Sequence, residues 1–314
     1  MLMRYLPDET KIPFLSYRKV AFAFSLLLVL GSIALFSGKG LNYGIDFTGG
    51  LLVEVRVTDG RGIADVRRTV ETLPLGDVAL QEFGQPDDIL IRIQRQEGGD
   101  EAQQAALDTL QQALGGGVDY RRTEVVGPAV SDELFFDGLL AVGLAILGIL
   151  VYIWFRFEWQ FGLCAVVALV HDVVSTIGLF SLIEHEFNLA TVAAVLTIAG
   201  YSINDTVVIF DRVRENFRKY KSLSLIDLLD HSINSTLSRT LMTSLTTLIA
   251  LVALYFLGGA VISDFALAMI WGICVGTYST IFVAVPLLIY LNPDRGLGDS
   301  DAKADDTKPD GAKA

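Results

Sequence analysis

Six apolar blocks, each about the length of a bilayer crossing, constrain this chain more than any other feature. A hydrocarbon core about 30 Å thick takes about 20 apolar residues in helical form. The blocks are Val20–Ser37, Leu134–Phe155, Phe161–Ile183, Leu189–Phe210, Thr240–Gly258 and Phe265–Leu291. Soluble core helices keep a polar stripe, and these do not. The reading is an α-helical membrane protein of six transmembrane helices. The first block has basic residues before it (Arg4, Lys11, Arg18, Lys19), as a signal peptide does. At about 18 apolar residues, with no small-x-small site closing it, it is expected to be an uncleaved anchor.

Charge sets the orientation. Six basic residues lie between the fourth and fifth blocks: Arg212, Arg214, Arg218, Lys219, Lys221 and Arg239. Arg156 lies between the second and third, and the other two short loops have none. The positive-inside rule then places both termini in the cytoplasm. The expected divisions are a cytoplasmic 1–19, helix 20–37, an extracytoplasmic domain 38–133, helices two to six in 134–291 with a cytoplasmic loop 212–238, and a disordered tail 292–314. Within 212–238, the apolar residues from Leu223 to Ile233 suggest a separate interfacial helix. Residues 40–133 carry 17 acidic and 8 basic side chains, most of the chain's net −12. No basic stripe with interleaved aromatics is present, which argues against nucleic acid. Cys164 and Cys274 fall inside apolar blocks and read as small buried hydrophobes.

The extracytoplasmic segment alternates. Leu51–Thr58 puts Leu51, Val53, Val55 and Val57 on one face, which is a strand with period two. Gly62–Leu73 reads as a helix, Val78–Phe83 and Asp88–Gln94 as strands, Gly99–Leu114 as a helix and Val118–Val126 as a strand. The order βαββαβ is that of an α+β, ferredoxin-like domain. It names no chemistry.

Polar groups inside apolar blocks are costly, so each is a functional suspect. His171 and Asp172 sit in the middle of the third block; they read either as a proton-binding pair or as an inter-helix hydrogen-bond pair. Asn204 and Asp205 lie in the fourth, with Asp205 roughly 9 Å inside its cytoplasmic end. Asp205 reads as a proton-coupled switch or as half of a static ion pair. Arg239, opening the fifth block, is its partner or a snorkelling anchor. Gly272 and Gly276 form a small-xxx-small packing motif. Gly200–Tyr–Ser202 has the outline of a serine nucleophile, but Ile203 follows, and neither HExxH nor a P-loop occurs. The chain is therefore not expected to be an enzyme.

Several long motifs together resemble one family. These are Gly44–Ile–Asp46–Phe–Thr–Gly49–Gly50, His171–Asp172, the run from Gly200 to Asn216, the run from Ile233 to Ser244, and Gly276–Thr–Tyr–Ser–Thr–Ile–Phe282. The chain resembles the SecF-type half of the SecD/SecF protein-export family, within the resistance-nodulation-division superfamily. That resemblance implies a bacterial inner-membrane subunit that uses the proton-motive force, with a separately supplied SecD, to complete preprotein export through SecYEG. It implies SecD, SecYEG, YajC, the moving preprotein and protons as partners, and no cofactor. It also assigns proton passage to Asp205 and Arg239. A solute or lipid exporter of the same superfamily, or an assembly factor without proton work, are the alternatives.

Overall fold

The computed structural model describes residues 10–83 and 85–293. In chain order the elements are α1 (Arg18–Lys39), β1 (Asn42–Tyr43), α2 (Ile45–Thr48), β2 (Gly50–Val57), α3 (Ile63–Val70), β3 (Val78–Phe83), β4 (Gln85–Gln94), α4 (Asp100–Leu114) and β5 (Val118–Val126). Then come α5 (Pro128–Arg156), α6 (Trp159–Ile183), β6 (Glu186–Phe187), α7 (Leu189–Lys219), α8 (Leu225–Leu257), α9 (Ala260–Ser279), a π-helical turn (Thr280–Ala284) and α10 (Val285–Leu291). Six helical stretches are long and apolar enough to cross a membrane. The chain divides into two compact units, one holding most of the long apolar helices and one built from 41–144 with 184–192.

In the helical unit, phenylalanines fill one end of the core. Phe161 meets Phe210 with ring centroids 5.1 Å apart, and Phe157 meets Phe210 at 5.9 Å, both edge-to-face. Beside them Arg156 pairs with Asp211 at 2.6 Å. The segment before α1 is tied to α8: Asn234 Oδ1 accepts from Ile12 N at 2.9 Å, and Asp230 Oδ1 accepts from Leu15 N at 3.0 Å.

Two helix boundaries differ from the sequence reading. The expected interfacial helix and the fifth block form one continuous helix, α8, of 33 residues. No glycine or proline falls between Leu225 and Leu257 to break it. Ser224 starts it, its Oγ accepting from Asp227 N at 3.1 Å. Arg239 is therefore mid-helix, directly before the apolar run Thr240–Gly258. Likewise α7 continues past Phe210 to Lys219. Of the expected disordered tail, only Asn292 and Pro293 are among the described residues.

The other unit holds a four-stranded antiparallel sheet in the order β3-β4-β2-β5, which is the ferredoxin-like order. Leu51, Val53, Val55 and Val57 of β2 are buried as the alternation required, with Ile89, Ile91 and Ile93 of β4 beside them. Val66 and Val70 of α3 and Leu107 and Leu110 of α4 cover that face. The strand expected to begin at Asp88 begins at Gln85, and the first helix is shorter than 62–73, capped at Gly62 by the Asp65 carboxylate. Two further strands escaped the sequence reading: β1 and β6 pair in parallel, Asn42 with Glu186 and Tyr43 with Phe187. At two residues each, they carry no periodic signal.

Candidate functional site

Asp172 lies on α6 with no exposed surface. A buried carboxylate needs donors for its lone pairs, and three helices supply them. Its Oδ2 accepts from Ser202 Oγ of α7 at 2.6 Å and from Ser279 Oγ at the end of α9 at 2.8 Å. Its Oδ1 lies 2.9 Å from His171 Nδ1. The adjacent turn repeats the tie, with Thr206 Oγ1 2.9 Å from Thr280 Oγ1. Ser279 immediately precedes the π-helical turn, a feature often found at functional sites. The other ring nitrogen of His171, Nε2, is buried without a hydrogen-bond partner.

The two glycines of the small-xxx-small motif make this closeness possible. A methyl group on Gly272 would collide with the Ile198 side chain of α7, and one on Gly276 would sit 3.3 Å from Ser202 Cβ and 3.5 Å from Asp172 Oδ2. The motif thus packs the sixth helix against α7 and over the Asp172 carboxylate.

Asp205 is one turn beyond Ser202 on α7 and is also buried. Its surroundings differ: Oδ2 has no hydrogen-bond partner. No ion pair joins it to Arg239 among the described residues. Arg239 is itself exposed, as are Thr197, Gly200 and Asn204 on α7 and Thr243 and Thr246 on α8. The residues expected to form one relay thus separate into three settings. His171 and Asp172 are joined, Asp205 stands with an unfilled acceptor, and Asn204 points away from both in the open stripe.

Ser202 was legible only as part of a serine-nucleophile outline. Its hydroxyl is bonded to Asp172, not to an imidazole, so the nucleophile–base geometry of such an enzyme is not formed here. Ser279 and the Thr206–Thr280 contact were not anticipated. The available signal was the run of hydroxyls Thr277–Thr280 inside an apolar block.

Gly44, Asp46, Gly49 and Gly50 belong to the other unit. Gly44 N donates to Phe187 O at 2.9 Å, and a methyl group there would meet Glu186 Oε1 at 2.7 Å. Gly49 and Gly50 have φ of +70° and +129°, where side chains are disfavoured, and a methyl group on Gly50 would strike the Ile93 carbonyl. Asp46 Oδ2 accepts from Leu189 N, the first residue of α7, at 2.9 Å.

Residues 106–294 match the family model described as protein export membrane protein SecD/SecF, C-terminal, and residues 34–60 match the SecD/SecF GG motif. The protein translocase subunit SecF of Magnetococcus marinus is 48% identical over 93% of this chain and 95% of that protein. The SecF of Cereibacter sphaeroides is 43% identical, covering 96% of each. Against the longer SecDF of Brucella abortus, the identity is 46% over 91% of this chain, which spans 38% of that protein. The crystal structure of SecDF from Thermus thermophilus, titled a translocon-associated membrane protein, superposes with a TM-score of 0.82 at 38% identity, over 91% of this chain and 39% of that one.

Proposed function

Since the chain belongs to the SecD/SecF family of protein-export membrane proteins, we propose that this translocase subunit converts the proton-motive force into work on the exported polypeptide, with Asp205 as the proton-binding group. The observation that carries the proposal is the Asp205 carboxylate, buried in a membrane helix with one oxygen unpartnered. A bare carboxylate anion in that setting is expensive, and a proton removes the cost. Among the described residues no ion pair with Arg239 pins the ionised form. Two states of similar energy can then exist, and helix packing can differ between them. Asp172 is different in kind: with donors from three helices it is the fixed anchor of the bundle, and His171 completes it.

SecD is the partner that covers the open polar stripe. Whereas the nearby Thr197, Thr243 and Thr246 hydroxyls donate back into their own helices, Asn204 on α7 and Arg239 on α8 leave an amide and a charge on the outer surface of apolar helices. Such groups face protein or water, not hydrocarbon. The SecDF relatives, of which this chain spans about two fifths, support SecD as a partner. In this reading the chain resides in the bacterial inner membrane with both termini cytoplasmic and the sheet domain outside. SecYEG, YajC and the emerging preprotein complete the assembly.

The test is isolation of the tagged full chain from membranes, with a photo-crosslinking residue at position 204. SecD should crosslink there, SecYEG should co-purify, and membranes depleted of the chain should lose the gradient-stimulated part of export. A chain isolated without SecD, with gradient-stimulated export intact in depleted membranes, contradicts the proposal.

A further inference from the structure

We propose that the Gly44–Gly50 motif is the coupling link between the proton-binding helix and the sheet domain, with Asp46 as its positioning residue. This rests on the reading that Asp205 is the proton-binding group. The segment Glu184–Val192, which includes the first turn of α7, belongs to the sheet unit, and the rest of α7 to the helical unit. Along that one helix Asp205 follows Leu189 by sixteen residues, about 24 Å on the helix axis.

The start of α7 is held by two routes. Asn188 caps it locally, its Oδ1 accepting from Thr191 N at 3.0 Å. Asp46 caps it from 143 residues away in sequence, accepting from Leu189 N. A carboxylate at a helix N-terminus satisfies an orphan N–H and complements the dipole. A motif that served only the sheet domain would not need this contact. The glycines bring the carboxylate there. Gly44 lets β1 close on β6 where any side chain would meet Glu186, and Gly49–Gly50 turn the chain straight into β2, the strand flanked by β4 and β5. A second strap runs in parallel: Arg92 of β4 donates to Asn42 Oδ1 at 2.9 Å and pairs with Glu186. Tyr43 and Phe47 pack on Phe187, with centroids 6.4 and 6.3 Å apart. A displacement of α7 therefore reaches two central strands of the sheet directly, through Asp46 into β2 and through Glu186–Arg92 into β4.

The experiment uses the full chain with SecD in inverted membrane vesicles, reading gradient-stimulated export beside SecD co-isolation. Asp46→Ala should leave co-isolation intact and cut the gradient-stimulated component by about fivefold or more, the scale of one lost N-cap. Asp46→Asn keeps the acceptor and should stay within about twofold of the unaltered chain. Tyr43→Cys with Phe187→Cys, at paired positions of β1 and β6 that leave the Arg92 strap in place, should restore the response of Asp46→Ala when oxidised and lose it again with reductant. An undiminished response in Asp46→Ala, or no restoration by the oxidised pair, overturns the inference. If Asp46→Ala does not assemble with SecD, the cysteine pair in the otherwise unaltered chain decides: a retained response when locked supports the link, and a lost one overturns it. Asp205→Asn runs alongside. If it keeps the response, the proton reading fails, whereas a loss there with none in Asp46→Ala fails the link alone.

Discussion

Asp172 and Asp205 are both buried carboxylates in apolar helices, yet their neighbours assign them different work. Asp172 has its lone pairs filled by Ser202, Ser279 and His171. Ser202→Ala or Ser279→Ala should each cost about 1–3 kcal/mol, because each leaves a buried charged acceptor short of a donor. Thermal unfolding of the detergent-solubilised protein reads that loss, and an unchanged midpoint in both would show that the hydroxyls do not hold the carboxylate. In the sheet domain, Arg56 grips Asp88 through two bonds of 2.6 Å and holds its carboxyl below the usual carboxylate range. A lowered folded-state pKa stabilises above the ordinary value of about 4 and is lost as pH falls through the lowered one. Asp88→Asn should therefore weaken the domain at neutral pH, and its stability should fall less than the parent's on acidification. Circular dichroism melts of residues 41–127 at several pH values measure this, and parallel curves would contradict it. His171, Asp172 and Asp205 were legible as suspects because charge inside an apolar block is conspicuous, but the sequence leaves open whether Asp205 is paired. The serines that fill Asp172 were not, since they arrive from helices 30 and 107 residues away. Asn204 was grouped with Asp205 by adjacency, but neighbouring residues on a helix point about 100° apart, and it lies on the open face.

Among the elements, the sixth transmembrane stretch is the least regular. It joins α9, a π-helical turn and α10, and the turn begins where Ser279 meets Asp172. Nothing in the residues Thr280–Ala284 marks a π turn in the sequence. The packing glycines are a sharper matter. Gly272→Ala should destabilise by about 1–3 kcal/mol through overpacking against Ile198. Gly143→Ala, where an added methyl group meets nothing, should be neutral or slightly stabilising through helix propensity. Thermal stability of both variants in detergent tests the contrast, and equal effects would remove the close-packing argument. Strand alternation foretold β2 and β5 within a residue. The merger of the cytoplasmic segment with the fifth block into α8 was missed because its polar residues looked like a boundary. Helix continuity depends on the backbone, and no breaker lies there.

For the molecule as a whole, the six apolar blocks and the βαββαβ order of the sheet domain were written plainly in the sequence, since bilayer thickness and strand period leave few alternatives. The clasp of β1, β6 and Asp46 was not, because it joins residues some 140 apart through pieces too short to show a period. Orientation has a direct test. Cysteines placed at the exposed Asp100 and Ser222 should label from outside intact spheroplasts at position 100 and not at 222, and the reverse pattern would invert the topology. The account's central claim is that the Asp205 proton drives export. Asp205→Asn keeps shape and hydrogen-bonding capacity but cannot ionise. The decisive measurement is preprotein import into inverted vesicles carrying Asp205→Asn, with and without an imposed proton gradient, beside a pull-down of SecD. The account predicts normal assembly with SecD and no gradient-stimulated component. Normal assembly with a full response to the gradient would contradict it and make Asp205 a packing residue.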